Sequence, residues 1–181
     1  MRKLLFVTIT ACLLSLLLTS CSGPRSINPD RLKLDKAYEF VADISYGEDS
    51  SVTGQFNRIN TNEWEIALKE PYALEGVTLS YNNGEVTAEY MELNGIVTSD
   101  NAIYTSMLAA FENAVNGDGR EAVSIGEEII ITSKAGTPSK SYEIVFDKKT
   151  LTPLTLKIPD ISLTAELSPV QAIQRVQVLH D

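Results

Sequence analysis

The sequence predicts a mainly β, α+β fold, in which one amphipathic helix packs on the apolar face of an antiparallel sheet. Two changes in hydrophobic period support this prediction. Apolar and polar residues alternate from Tyr38 to Tyr46, as in a strand that buries one face, and short alternating stretches continue to about Leu93. From Ile103 to Val115 the spacing is helical, and after Glu127 it returns to alternation. Strands that follow one another through short turns form antiparallel meanders.

Five strands are expected before the helix, each bounded by turn residues. The dipeptide Asn83-Gly84 is typical of a tight hairpin, because both residues tolerate positive φ. The expected strands cover Tyr38–Tyr46, Val52–Ile59, Trp64–Leu68, Val77–Tyr81 and Glu85–Leu93.

The helix is expected to begin after an N-cap at Ser99 or Asp100 and to end at Gly117, where a helix C-terminus favours glycine. Trp64 and Phe111 both fall on apolar faces, so we expect them to meet where the helix lies on the sheet. The apolar stripe of the helix consists of Ile103, Met107, Ala110, Phe111, Ala114 and Val115.

Four more strands are expected after the helix. The segment Gly117–Arg120 is interpreted as a helix-to-strand turn, and Ser168–Asp181 as either an edge strand or a frayed tail. The expected strands cover Glu127–Lys134, Tyr142–Phe146, Leu154–Ile158 and Ile161–Leu167.

The N-terminus is typical of a bacterial signal peptide. Arg2 and Lys3 precede an apolar run, Leu4–Leu18, that is too short for a comfortable membrane span. The run ends in Leu18-Thr19-Ser20-Cys21, which resembles a lipobox and implies that Cys21 becomes the acylated, palmitate-carrying first residue of a mature lipoprotein. An ordinary signal peptide with a chance cysteine is the alternative. The expected organisation is a signal peptide at 1–20, a lipid-anchored tether at 21–36 and a folded domain at 37–181.

Charge and residue usage exclude several classes of function. The chain has 15 Lys and Arg against 24 Asp and Glu, and loss of residues 1–20 removes Arg2 and Lys3, so the mature charge is 13 − 24 = −11. Such a surface repels nucleic acid and anionic lipid headgroups, so neither is expected as a specific partner. Cys12 is lost and Cys21 carries lipid, and His180 is the only histidine. Disulfides, metal sites and histidine-based catalysis are therefore not expected, and no cofactor is predicted.

The order of meander, helix and second meander behind a lipobox resembles the LolA and LolB lipoprotein-carrier superfamily. Gly54–Pro71 resembles the family's succession of glycine, arginine, aromatic residue and proline, and Leu79–Gly84 its turn after an apolar strand. Tyr142–Ile158 is similar to its late hairpin, with an acidic turn and then Pro-x-x-Leu. The resemblance implies a strongly curved sheet that forms an incomplete barrel, with the helix closing its concave face as a lid.

Arg58 matches the arginine that helps to hold the lid closed in transport members of that family. Here Ile59 follows it, where those members have proline. An inward guanidinium and a side chain extended along the barrel rim are both compatible with its position on the strand.

No catalytic constellation can be assembled, because Glu127 and Glu128 are adjacent on a strand and face opposite ways. The candidate site is instead the inner face, which is either a packed core or a core with a ligand cavity. The candidate cavity residues are Phe40, Ile44, Phe56, Arg58, Trp64, Ile66, Tyr81, Met107, Phe111, Ile144 and Phe146.

Two functions are compatible with these features, neither of them enzymatic. The first is a lipoprotein of the cell envelope, anchored on the extracytoplasmic side by its N-terminal lipid, that binds an acyl chain or the lipid of another lipoprotein. The second is an interaction module that recruits an envelope protein through its outer surface.

Overall fold

The computed structural model describes residues 23–34, 38–91, 93–96 and 102–170, which form one 12-stranded antiparallel sheet and one α-helix. Before the helix lie β1 (Arg25–Ile27), β2 (Glu39–Tyr46), β3 (Ser50–Asn60), β4 (Glu63–Glu70), β5 (Thr78–Asn82), β6 (Glu85–Tyr90) and β7 (Leu93–Ile96). The helix, α1, spans Ala102–Asn116 and is followed by β8 (Glu121–Ile125), β9 (Glu128–Ala135), β10 (Lys140–Asp147), β11 (Pro153–Ile158) and β12 (Leu163–Pro169). Short 3-10 helices cover Pro29–Arg31, Tyr72–Leu74 and Pro159–Ile161.

The two meanders join into one sheet through β12 and β2, where Ala165 lies opposite Ile44 and Leu167 opposite Ala42. The spatial order is β1-β8-β9-β10-β11-β12-β2-β3-β4-β5-β6-β7, so β1 and β7 form the two edges. Within the described residues the sheet is open and curls around one α-helix. This arrangement confirms the predicted fold class, an incomplete barrel with one helix on its concave face.

The predicted Asn83-Gly84 hairpin is confirmed, with φ of 49° and 96° at the two residues. The strand expected over Glu85–Leu93 was wrong in extent. Met91 adopts a φ of 56°, and this left-handed residue divides the segment into β6 and β7.

Sequence periodicity missed β8. Its inward positions hold Ala122 and Ser124, which are 3% and 8% exposed, so the strand shows no alternation of large apolar residues. Burial here depends on the neighbouring strand, since β8 pairs with β9 from Glu121 opposite Thr132 to Ile125 opposite Glu128.

Part of the segment interpreted as a tether is packed on the sheet. Arg25–Ile27 pairs with β8, and Leu34 is only 1% exposed. The 3-10 turn Pro29–Arg31 is linked to the end of α1 by an ion pair, because Nη2 of Arg120 lies 2.6 Å from Oδ1 of Asp30. The packed structure therefore begins before residue 37.

The end of α1 agrees with the sequence prediction. Gly117 donates its N–H to the carbonyl of Asn113 at 2.7 Å, and a Cβ at Gly117 would lie only 2.7 Å from that same carbonyl oxygen. Arg120 adds donors to the carbonyls of Ala114 and Val115, at 2.9 and 2.6 Å. The predicted N-cap residues and the end of the chain, residues 171–181, lie outside the described residues. No helix in the described part of the chain is long and apolar enough to cross a membrane.

Candidate functional site

The inner face of the sheet and the facing side of α1 form one continuous apolar core. Helix α1 packs on β9, β10 and β11, and its side chains also reach β3 and β4. Every predicted cavity residue is buried there, but whether any of them binds a ligand stays a prediction. These residues are Phe40, Ile44, Phe56, Arg58, Trp64, Ile66, Tyr81, Met107, Phe111, Ile144 and Phe146.

An aromatic cluster occupies the centre of this core. The ring of Phe40 stacks on Phe56 at 5.5 Å and on Phe111 at 5.1 Å between centroids, and meets Trp64 edge-on at 6.1 Å. Trp64 and Phe111 lie 5.6 Å apart, which confirms their predicted meeting across the sheet and the helix. Aromatic pairs at these distances add to the stability that burial alone provides.

A charged cluster lies beside the aromatic rings, between α1 and the β3–β4 hairpin. Arg58 donates from Nε to Oε1 of Glu112 at 2.8 Å and from Nη2 to Oε2 at 2.9 Å. Trp64 donates its indole N–H to Oε1 of the same carboxylate at 2.7 Å. Arg58 and Glu112 are 3% and 8% exposed, so the pair is buried and bidentate.

The strand register places these groups together. Inward positions on β3 alternate from Val52 through Gly54 and Phe56 to Arg58, and Arg58 lies directly opposite Trp64 on β4. The inward orientation of Arg58 is therefore the correct one, and the orientation along the rim is wrong. Glu112 is the only charged residue in α1 and lies next to Phe111 on the packed side of the helix.

The buried charges of Arg58 and Glu112 bear on where α1 lies on the sheet. A buried ion pair contributes little net stability, yet removing one partner leaves an uncompensated charge, which costs about 3 to 5 kcal/mol. The charge of Glu112 also reaches Tyr81, whose pKa is raised mainly by burial and further by the Glu112 carboxylate. Sliding or lifting α1 would break three hydrogen bonds at once, so we expect this cluster to favour the closed position of the helix.

A cavity of about 380 Å³ opens beside α1, between the β5–β6 turn and the β9–β10 turn. Tyr81, one of the predicted cavity residues, lines it together with Thr105, Ser106 and Lys140. The Lys140 ammonium donates to the Ser106 hydroxyl at 3.0 Å. This cavity combines an aromatic ring with an ammonium and hydroxyl groups, a chemistry that suits the polar end of an amphiphile.

The other sequence candidates show ordinary surface chemistry. Glu127 is exposed and its carboxylate lies 2.7 Å from the Lys149 ammonium. The hydrogen bond and the charge of Lys149 lower the pKa of Glu127. The segment Gly117–Arg120 forms the predicted helix-to-strand turn. Among the described residues, no three His, Cys, Asp or Glu side chains cluster as metal ligands.

Sequence reasoning missed Glu112, Ser106 and Lys140. For Glu112 a signal existed, because a single carboxylate in an otherwise uncharged 15-residue helix is expected to have a partner. For Ser106 and Lys140 no local signal existed, since the helix and the start of β10 meet only in the folded chain.

Comparison with known proteins gives a similarity of shape but none of sequence family. No protein-family model and no curated protein matches this chain. Among solved structures the chain is similar to a LolA superfamily protein from Nitrosomonas europaea, with a TM-score of 0.39 and 7% sequence identity over 74% of this chain and 84% of that one. At this level of similarity, no ligand or activity transfers from that protein to this chain.

Proposed function

We propose that this chain is a non-enzymatic lipoprotein, anchored in the cell envelope by Cys21, that binds an acyl chain or the lipid of another lipoprotein between its curved sheet and α1. The observation that carries the proposal is the composition of the contact between α1 and the sheet. The contact is apolar, and the charged groups of Arg58 and Glu112, with the indole of Trp64, form a discrete polar clamp within it.

In this proposal an acyl chain replaces the helix in that contact. Movement of the Glu112 side of α1 away from the sheet would expose the aromatic cluster around Phe40 and Phe56, and an acyl chain can cover the same apolar surface that the helix covered. The cavity next to Lys140 and Ser106 would then receive the polar end of the ligand. The closed arrangement is the empty state in this proposal.

The test is the binding of saturated fatty acids of increasing length, followed by Trp64 fluorescence, because Trp64 is the only tryptophan of the chain. Each methylene withdrawn from water contributes about 0.8 kcal/mol, which is about a fourfold gain in affinity per methylene until the site is full. Glu112→Gln weakens the clamp and is expected to bind the same fatty acid more tightly than the unaltered protein.

The matched control is Glu121→Gln, which removes the same charge from an exposed position on β8. It is expected to bind like the unaltered protein. Circular dichroism confirms that each variant is folded. Affinity that does not depend on chain length, together with no gain in Glu112→Gln, would contradict a site under the helix.

The proposed anchor is tested separately by Cys21→Ala. One acyl chain binds membranes only marginally, whereas two or more hold a protein stably, so losing the acylated cysteine is expected to move the protein from the membrane fraction to the soluble fraction. Unchanged membrane attachment of Cys21→Ala after cell fractionation would contradict lipidation at this residue.

An interaction module for an envelope protein is the second candidate, and an exposed apolar surface favours it. Large apolar side chains stand out near the β6–β7 edge, with Met91 77% and Ile96 70% exposed. Exposed apolar patches of this kind mark interaction sites. If no fatty acid binds to the unaltered protein or to Glu112→Gln, this candidate becomes the better explanation. The exposed residues of this edge are Tyr90, Met91, Leu93 and Ile96.

A further inference from the structure

A second pocket, of about 590 Å³, lies at the opposite edge of the sheet from β7 and is separate from the candidate site under α1. Its walls are the segment Arg25–Lys33 and the turn that joins β10 to β11. Its buried and half-buried lining is mostly apolar and is called its floor here: Ile27, Leu32, Ile129 and Leu151, with Ser124 as the one polar member.

The rim of this pocket is basic. Five cationic side chains line it: Arg25, Arg31, Lys33, Lys148 and Lys149. The chain after residue 20 has 15 − 2 = 13 basic residues, so more than a third of them surround one opening in a protein whose overall charge is strongly negative. We call this opening, with the floor and rim just named, the basic pocket.

Much of this positive charge is not neutralised locally. Lys149 pairs with Glu127 at 2.7 Å, and Lys148 donates to the carbonyl of Gly126 at 3.2 Å. The carboxylate of Asp147 accepts hydrogen bonds from the N–H groups of residues 149 and 150 within its own turn. Arg25, Arg31 and Lys33 form no ion pair with the described residues.

The negative charge of the whole chain does not cancel this local field. Exposed charges are screened beyond about 8 Å at physiological ionic strength, so an anion at the basic pocket experiences the nearby cations far more than the distant acidic surface. The overall charge led us to expect no attraction to anionic headgroups, and the basic pocket is a local exception to that expectation.

The pocket also lies close to the start of the mature chain. Cys21 precedes Arg25 by 25 − 21 = 4 residues, and a fully extended chain spans at most about 3.6 Å per residue, so the two α-carbons are at most about 14 Å apart. A lipid on Cys21 would therefore hold the basic pocket against the surface of the membrane.

We propose that the basic pocket docks on the membrane by binding the phosphate groups of anionic phospholipids, while its apolar floor contacts the glycerol and upper acyl region. The cations recognise the phosphate charge, and the floor recognises the apolar part that a free phosphate ion lacks. Docking would fix the orientation of the domain on the membrane, with the opposite edge of the sheet directed away from it. This orientation rests on the proposed anchor, but the binding itself does not.

The test is sedimentation of the processed chain, residues 21–181, with lipid vesicles. The chain carries Cys21→Ala, so no acyl chain contributes and a failure of docking cannot be confused with a failure of lipidation. Vesicles contain either phosphatidylcholine alone or phosphatidylcholine with about one third phosphatidylglycerol. We expect binding to the anionic vesicles, weakened by 0.5 M NaCl, and no measurable binding to the neutral ones, because each basic side chain at an anionic surface contributes about fivefold to the partition coefficient.

The decisive comparison uses two charge-reversal pairs. Arg31→Glu with Lys33→Glu removes two rim cations and is expected to lower binding about 25-fold or more. Lys69→Glu with Lys134→Glu makes the same change in net charge at exposed positions near the ends of β4 and β9 and is expected to lower it several-fold at most. Leu32→Ala tests the floor and is expected to weaken binding without changing its dependence on salt. Circular dichroism confirms folding in each case.

Three results would overturn the proposal. The first is that the protein with its rim residues unaltered does not bind anionic vesicles. The second is that both charge-reversal pairs lose the same amount of vesicle binding, which would mean non-specific attraction. The third is displacement from vesicles by a few millimolar inorganic phosphate but not by chloride at equal ionic strength, which would mean that the pocket is a site for a soluble anion.

Discussion

Individual residues define how the helix sits, and Arg58 and Glu112 are the most informative of them. Apolar packing alone tolerates many small shifts of a helix across a sheet, because hydrophobic contacts have little directionality. A bidentate ion pair does not tolerate them, and the indole of Trp64 restricts the carboxylate further. We therefore expect the Arg58–Glu112 pair to define the position of α1 on the sheet within an otherwise apolar contact.

A double-mutant cycle measures this effect. Arg58→Met and Glu112→Leu each leave one charge buried without its partner, so each is expected to lower the free energy of unfolding by about 3 to 5 kcal/mol in urea denaturation. The double variant replaces both charges with apolar groups and is expected to recover most of that loss. If the two single effects simply add in the double variant, the groups do not act as a pair.

Prediction for individual residues succeeded where the signal was local in sequence. Alternation along β3 correctly put Arg58 on the same strand face as Phe56, but the sequence left open whether its guanidinium points inward or lies along the barrel rim. Its partner could not be found this way, because Glu112 lies 54 residues further along the chain. Only the pairing of strands and the path of α1 bring the two together.

Elements show the same division between local and long-range information. The helix and its C-terminal glycine were predictable because helical spacing and the Gly117 signal lie within one short stretch. Strand β8 was not, because it buries Ala122 and Ser124 instead of large apolar residues. The docking of Arg25–Ile27 was not predictable either, since a three-residue strand depends on the edge that β8 provides.

The docking of α1 as an element is tested by Phe111→Ala. Phe111 is fully buried against Phe40 and Trp64, so its removal is expected to lower the free energy of unfolding by about 3 to 5 kcal/mol and to shift the fluorescence of Trp64. Ile59→Ala is the control on β3, because that side chain is 48% exposed and its loss is expected to cost less than about 1 kcal/mol. An unchanged denaturation midpoint and unchanged fluorescence in Phe111→Ala would contradict the docked helix.

Across the whole molecule, charge is distributed unevenly, and net charge alone describes it poorly. The interior contains a neutralised Arg58–Glu112 pair, and the edge near β1 has a basic pocket. The overall negative charge therefore belongs to the remaining surface. The net charge of the protein governs its long-range repulsion of polyanions. An anion bound in the basic pocket lies within a Debye length of the rim cations, so its binding depends on those cations and not on the net charge.

The free energy of unfolding at high pH is expected to depend on buried tyrosines. Burial raises the pKa of Tyr104 to about 12, with the nearby Tyr46 adding to the effect. The pKa of Tyr142 is raised mainly by burial, against the opposing charge of Arg120, and its hydroxyl donates to Asn113 at 2.7 Å. In the unfolded chain both phenols have a pKa of about 10. The native state therefore keeps protons that the unfolded chain loses above this pH.

The sign of the pH dependence follows from these bound protons. Below pH 10 both states hold them and the stability is fully present, but as the pH rises from about 10 to 12 the unfolded chain binds fewer protons than the native one. The free energy of unfolding is then expected to fall by about 1.4 kcal/mol per pH unit for each such tyrosine. Urea denaturation between pH 8 and 12, with tyrosinate absorbance at 295 nm, measures this fall. Tyr104→Phe is expected to make it shallower, while Tyr72→Phe, at a position 87% exposed, is expected to leave it unchanged. An equally steep fall in both variants would show that Tyr104 does not set the alkaline limit of the fold.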